Sequence, residues 1–327
     1  MMKRLNLFII LAVLLCSCAE GDNLEYDTNI DGLYSKQDAF LRNSNDTISI
    51  DFYDSIYKSL EIKIDSIVRY MNQSSATQTQ GASCYNNYLF DFGNNMTYIH
   101  IYDMNTKSLV KRFNSQMSNA LYHCNNVCFS NIYYSENDIF PLLFVSQQRT
   151  IPQEVQVCRI TGELDNPEIS IICVIMLPTI DDLCVKNRTD VVLDNENNAM
   201  YAYTESKDYN LCTLKFNIPQ VLNNQTIYLS NQDIKEISIY NNIYVAKQGA
   251  VIKNGFLYVI KGIPNRNPLA LTIINLYNHS WTEFDLSDYG VSWEPEGIFF
   301  YNEELYCTSN NNRGIYKFYF DSIVNTK

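Results

Sequence analysis

Thr79-Gln80-Gly81-Ala82 leading to Leu89-Phe90, Lys247-Gln248-Gly249-Ala250 leading to Leu257-Tyr258, and Pro295-Glu296-Gly297-Ile298 leading to Leu305-Tyr306 are three copies of one phrase. In each copy a Gln or Glu precedes a Gly, and the apolar pair begins nine residues after that Gln or Glu. Self-similarity at a fixed offset reports architecture before it reports chemistry. Working outward, each copy opens a set of short apolar runs separated by turn residues such as Gly93-Asn94-Asn95 and Asn105-Thr106-Lys107.

The runs fall into five sets. The first holds 88–92, 98–102 and 109–113; the second holds 141–146, 155–160 and 169–176; the third holds 189–193, 200–203, 211–216 and 226–229. The fourth holds 250–252, 256–260, 269–275 and 281–286, and the fifth holds 297–301, 305–308 and 315–320. Innermost strands are expected to begin near Gln80, Asn125, Asp190, Gln248 and Glu296. Sets of about four strands with a set-level repeat predict an all-β fold, a β-propeller of five blades. Six blades is the alternative, if residues 50–75 form more than a clasp. The fifth set lacks a fourth strand, and an open edge there is a liability. An N-terminal strand, 47–52 or 60–67, is expected to supply it and close the ring.

The chain has 327 residues, with 24 Lys and Arg against 36 Asp and Glu, for a net charge of −12. Diffuse acidity disfavours nucleic acid as a partner. Its start is different: Lys3-Arg4 is basic, residues 5–15 are an almost unbroken apolar run, and Leu15-Cys16-Ser17-Cys18 follows. The run is too short to span a bilayer comfortably and reads as an export signal over residues 1–17. Leu15 to Cys18 resembles a bacterial lipobox, which implies cleavage before Cys18 and acylation of its thiol, with palmitate among the expected chains. The acidic residues after it, Glu20 and Asp22, resemble the surface-export tags of Bacteroidetes lipoproteins. Residues 18–45 then form a polar tether, and 46–327 form one domain held to the outer membrane, on its periplasmic or cell-surface side. A monomer is expected.

The ten cysteines are not read as a disulfide framework. Cys128, Cys158, Cys173, Cys212 and Cys307 sit in apolar strand-like runs, where a thiol behaves as a small hydrophobe. Zinc is a poor reading as well, because no CxxC occurs and His100, His123 and His279 are far apart.

If the inner strands are placed as above, one rim of the axial channel gathers Gln80, His123, Asn125, Arg188, Asp190, Gln248, Glu294 and Glu296, with Trp293 as an apolar wall. The Gly of each phrase is expected where inner backbones crowd. The rim side chains can satisfy one another and ordered water. They can also hold a ligand by a few placed donors and acceptors. Glu294 and Glu296 stand two apart and face one side of a strand unless Pro295 turns the chain. A pair of that kind shares a proton or holds a cation. Calcium would accept oxygens of Glu296, Asp190 and Asn125. No G-x-S-x-G is present, and His123 is the one histidine on the rim that could act as a base.

Thr79-Gln80-Gly81 with Leu89-Phe90 and Tyr102-Asp103 resembles the opening blade of the glutamine cyclotransferase family, over about 35 residues. That resemblance implies a five-bladed propeller and a cyclase activity. The family's catalytic Glu on the second inner strand is replaced here by His123-Cys124-Asn125-Asn126. Glu294-Pro295-Glu296-Gly297 resembles the calcium-dependent gluconolactonase-like and phytase-like propellers, which implies a metal held by Glu296, Asn125 and Asp190. The lipobox, His123-x-Asn125, Phe140-Pro141-Leu142-Leu143 and the E-P-E-G phrase together resemble uncharacterised Bacteroidetes lipoprotein propellers. Two functions are therefore expected. One is a surface module binding a glycan, peptide or protein. The other is a cyclase-like or lactonase-like enzyme.

Overall fold

The computed structural model describes residues 49–53, 62–74, 78–94, 96, 98–115, 123–148, 153–180, 189–221, 225–244 and 247–321. All belong to one compact unit, Ile48–Lys327. The signal, Cys18 and the tether lie outside the described residues, as does Arg188.

Two strands come first, β1 (Ile50–Tyr53) and β2 (Ile64–Asn72). Blade 1 is β3 (Thr79–Tyr85), β4 (Tyr88–Gly93), β5 (Tyr98–Asp103) and β6 (Ser108–Asn114). Blade 2 begins with β7 (His123–Phe129), β8 (Leu143–Gln148), β9 (Glu154–Thr161) and β10 (Glu168–Met176). In blade 3, β11 (Asp190–Asp194), β12 (Ala199–Glu205) and β13 (Asn210–Asn217) are followed by β14 (Gln225–Tyr228) and β15 (Glu236–Tyr244). Blade 4 is β16 (Lys247–Lys253), β17 (Phe256–Lys261), β18 (Ala270–Asn275) and β19 (Trp281–Asp285). Blade 5 is β20 (Pro295–Tyr301), β21 (Glu304–Ser309) and β22 (Gly314–Phe320), with β2 as its outer strand. The molecule is a five-bladed β-propeller, and a strand from the N-terminal side closes its ring.

The expected inner strands are the observed ones, and they neighbour each other in ring order β3, β7, β11, β16, β20 and back to β3. Three assignments are corrected. Residues 226–229 do not complete blade 3; β14 pairs in parallel with β10 and adds a fifth strand to blade 2. The fourth strand of blade 3 is β15, antiparallel to β13. Its Glu-Ile-Ser-Ile-Tyr alternates as a strand should, but Asn241-Asn242 reads as a turn and hides it. Nor does the run at 47–52 close the ring: β1 lies in parallel on β15. The second option at 60–67 is right in place and short in length, since β2 runs to Asn72.

The core is a set of layers between adjacent blades. Phe90, Phe92, Ile99 and Ile101 of blade 1 meet Val127, Leu143, Val145 and Ile160 of blade 2. Comparable layers lie between blades 3 and 4, 4 and 5, and 5 and 1. Alternating β-branched and aromatic residues suit strands packed on both faces. Cys124, Cys128, Cys158, Cys173, Cys212 and Cys307 are buried, with Cys124, Cys158 and Cys307 inside these layers as small hydrophobes.

Asn is abundant because inner hairpins use it. Asn254-Gly255 and Asn302-Glu303 both have positive φ at two consecutive residues, the turn whose twist matches the flanking strands.

Candidate functional site

The recurring phrase marks a recurring backbone irregularity. Pairing with the second strand skips at Thr79/Ala82, Cys124/Val127, Lys247/Ala250 and Pro295/Ile298. Four of the five inner strands thus carry a bulge, and a bulge re-aims side chains. The bulged pairs are Gln80-Gly81, Asn125-Asn126, Gln248-Gly249 and Glu296-Gly297. In blade 3 the matching pair, Asp190-Val191, is regular. The first member of each pair is a polar residue, one per blade, and all five are buried.

The second member explains the glycines. A Cβ on Gly297 would stand 2.4 Å from Ala82 Cβ and 2.5 Å from the Ala82 nitrogen; one on Gly249 would stand 2.5 Å from the Glu296 carbonyl oxygen. Adjacent inner strands touch backbone to backbone there. Blade 2 has Asn126 instead. Its Nδ2 donates to the Val191 carbonyl at 2.7 Å, and its Oδ1 accepts from Ala250 N at 3.1 Å. Asn126 therefore ties blade 2 to blades 3 and 4 across the axis. The open channel that the sequence predicts is crossed here by side-chain hydrogen bonds.

Toward the strand starts, the polar residues bond to one another. Asn125 Nδ2 donates to Asp190 Oδ2 and to the Gln248 carbonyl, both at 2.7 Å. Lys247 Nζ, itself buried, forms an ion pair with Asp190 and lies 4.9 Å from the Tyr203 ring centroid. Breaking a buried pair by removing one partner typically costs about 3–5 kcal/mol. This ammonium stands where a cation for Asp190 would be expected, and Asn125 offers Asp190 its nitrogen rather than its oxygen. Among the described residues, no group of three or more His, Cys, Asp or Glu is placed to hold a metal.

The opposite side of the ring is less balanced. Gln80 Nε2 donates to Glu296 Oε1 at 3.0 Å, while Gln80 Oε1 is buried with no hydrogen-bond partner. Glu294 Oε1 accepts from Gln248 Nε2 at 3.1 Å, and Glu294 Oε2 from Asn310 Nδ2 at 3.2 Å. Burial, and then the charge of Glu294, push the Glu296 carboxyl well above the usual range; hydrogen bonds from Asn310 and Gln80 only partly oppose this. Burial also raises Glu294, against hydrogen bonds from Asn310 and Gln248. Glu294 precedes β20 and Glu296 stands in its bulge, yet the two carboxyls lie close enough to share Asn310 as a donor. A carboxyl held neutral can donate as well as accept.

The remaining rim residues sit differently. His123 opens β7, half-buried. Trp293 is buried in the layer between blades 4 and 5 and stacks on Tyr316 at 4.1 Å, so its ring is part of the interblade core. Sequence reasoning missed Lys247, Asn126, Asn310 and Asp91. Lys247 stands inside the quoted phrase, where the other copies have Thr79 and Pro295. Asp91 follows Leu89-Phe90 and accepts from Thr79, and from Gln73 Nε2 at 3.1 Å. Burial pushes it up to about 7, against both hydrogen bonds.

No family model matches this sequence, and no curated protein matches it. Among solved structures, the glutaminyl cyclase of Myxococcus xanthus superposes with a TM-score of 0.51 at 8% identity, over 84% of this chain and 99% of that one. The PQQ-bound aldose sugar dehydrogenase from Streptomyces coelicolor gives 0.45 at 8% identity, over 80% of this chain and 98% of that one. At such identity the first likeness is one of fold, and the second carries no argument.

Proposed function

We propose that this chain is an exported, lipid-anchored binding module of the outer membrane, holding a glycan, peptide or protein ligand at the rim where its inner strands begin. The observation that carries this reading is the buried Gln80 Oε1, which has no hydrogen-bond partner and lies on the residue that bonds Glu296. A buried acceptor without a donor costs about 1–3 kcal/mol. A ligand N–H or O–H delivered there recovers that cost. The residues gathered there are polar, as suits a ligand fixed by a few donors and acceptors.

Screening the full chain on glycan and peptide arrays tests the rim. Binders should weaken tenfold or more with Gln80→Ala or Glu294→Gln, and retention of full affinity by both variants would sink the reading. The anchor has its own test. Labelled palmitate should be incorporated by the wild-type chain and not by Cys18→Ser; equal labelling of the two would remove Cys18 as the acylated residue.

A second reading is a cyclase-like enzyme. Its support is Glu296 itself, a buried carboxyl pushed well above the usual carboxylate range by burial, 3.0 Å from a Gln within Thr79-Gln80-Gly81. A carboxyl in that state can pass a proton during an acyl or amine transfer. Turnover of glutaminyl peptides that is abolished by Glu296→Gln would favour this reading over simple binding.

A further inference from the structure

We infer that the outer edge of blade 1, at Lys111–Asn114, is a docking frame for an extended acidic peptide segment of a partner protein, added to the sheet as a fifth, parallel strand. The molecule performs this addition twice on itself. β14 lies on Cys173–Met176 of β10, and β1 lies on Ile237–Tyr240 of β15. Both added strands are parallel and four residues long, Gln225-Thr226-Ile227-Tyr228 and Ile50-Asp51-Phe52-Tyr53. Each uses the regular stretch of an outer strand beside an irregularity. In β10 the skip falls between Ile171 and Cys173, just before the frame. In β15 the register with β13 jumps just after Tyr240.

β6 repeats the arrangement of β10. Its skip falls between Leu109 and Lys111, and four regular residues follow, paired with Tyr98–Ile101. Among the described residues no strand covers them, because β6 stands last in its sheet. An uncovered edge presents unpaired N–H and C=O groups to any extended chain, and strand addition is a recurring mode of peptide recognition.

The chemistry of the frame selects the occupant. The two covered frames, Cys-Val-Ile-Met and Ile-Ser-Ile-Tyr, are apolar; the open one is Lys111-Arg112-Phe113-Asn114. In a chain of net charge −12, no Asp or Glu occurs between Asp103 and Glu136. Neither Lys111 nor Arg112 makes an ion pair among the described residues. Arg112 lies over the Tyr98 ring at 4.2 Å, which holds its guanidinium beside the edge. Opposite charges directly across a strand pair favour pairing. The outer edges of β19 and β2 do not fit an acidic segment. β19 carries Glu283 and Asp285, and Arg69 of β2 already bonds Tyr316, Asn72 and Asn312.

The probe is an acetylated, amidated hexapeptide of alternating acidic and apolar residues, Glu-Ile-Glu-Ile-Glu-Tyr, titrated into the full chain by fluorescence polarisation with hydrogen exchange in parallel. Expected are binding that falls with added salt, slowed exchange across Lys111–Asn114, and a tenfold or greater loss in K111E/R112E of unchanged melting temperature. The same peptide N-methylated at alternate amides should fail to bind the wild-type chain, a control that requires no protein variant. Equal binding of a version with Lys replacing each Glu would overturn the proposal. So would binding that leaves β6 exchange unchanged. Self-association through β6 without peptide binding would overturn it too, and would assign the edge to a second copy.

Discussion

At the scale of single residues, the phrase that opens the sequence separates into two jobs. Gly249 and Gly297 are fixed by close approach of neighbouring inner backbones and Gly81 by the Val127 side chain, and only the residue before each is free for other work. Gln80, Asn125, Asp190, Gln248 and Glu296 were legible because they sit at one place in a repeat. Their partners were not, because hydrogen bonds across a ring join blades far apart in sequence. Asn125 with Gln248 and Asn126 with Ala250 are contacts that no local pattern encodes. Asp91 is the sharpest example of a missed group. Its carboxyl is raised from 3.8 to about 7 because burial disfavours the charge. A carboxyl raised in the folded state stabilises most fully below its unfolded pKa, and that contribution is lost as pH rises through the folded value. Wild-type stability should therefore fall, relative to Asp91→Asn, between about pH 4 and pH 7. The difference should reach on the order of 4 kcal/mol, read from denaturant midpoints at each pH. Parallel pH profiles for the two proteins would show that Asp91 is ionised in the fold.

At the scale of elements, strands were easier to find than their partners. The runs at 141–146, 155–160 and 315–320 name real strands because alternation and turn residues act locally. β14 went to the wrong blade because a chain leaving β13 is expected to pair with β13. Here it crosses to β10 first and returns as β15. The parallel additions also differ in how firmly they are held. β1 is only four residues long and half exposed. Its anchor is Tyr53, stacked on His279 at 4.0 Å and on Tyr240 at 5.7 Å. Tyr240 OH in turn meets His279 Nδ1 at 3.1 Å. Aromatic pairs contribute about 0.5–1.5 kcal/mol beyond the area they bury. Tyr53→Ala should thus release β1 alone. Hydrogen exchange at Ile50–Tyr53 should speed roughly tenfold, which corresponds to about 1.4 kcal/mol, while the pairing of β13 with β15 keeps its protection. Equal acceleration in both places would mean that β1 is integral to blade 3 rather than an addition to it.

At the scale of the whole molecule, the five-blade count was legible because the inner-strand residues recur at blade-sized intervals, and the missing outer strand of the fifth set pointed to closure from the N-terminal side. Which strand closes the ring was not legible, since 47–52 and 60–67 are equally strand-like. The structure divides their roles, and the division has consequences. β2 seals blade 5 with Ile64 and Met71, both buried, in the layers that blade 5 shares with blades 4 and 1. Arg69 of β2 donates to Tyr316 Oη at 2.8 Å and to Asn312 Oδ1 at 2.8 Å. Losing a buried Ile or Met side chain costs about 2–5 kcal/mol, and a domain has only about 5–15 kcal/mol in all. A chain beginning at Ile62 lacks β1 and keeps β2; it should melt cooperatively, a few degrees below the full chain. A chain beginning at Gln73 lacks both strands, leaves the β22 edge open beside two exposed core layers, and should yield no cooperative melt by circular dichroism. A cooperative transition in that shorter chain would show that β2 covers a ring already closed by the contact of β20 with β3.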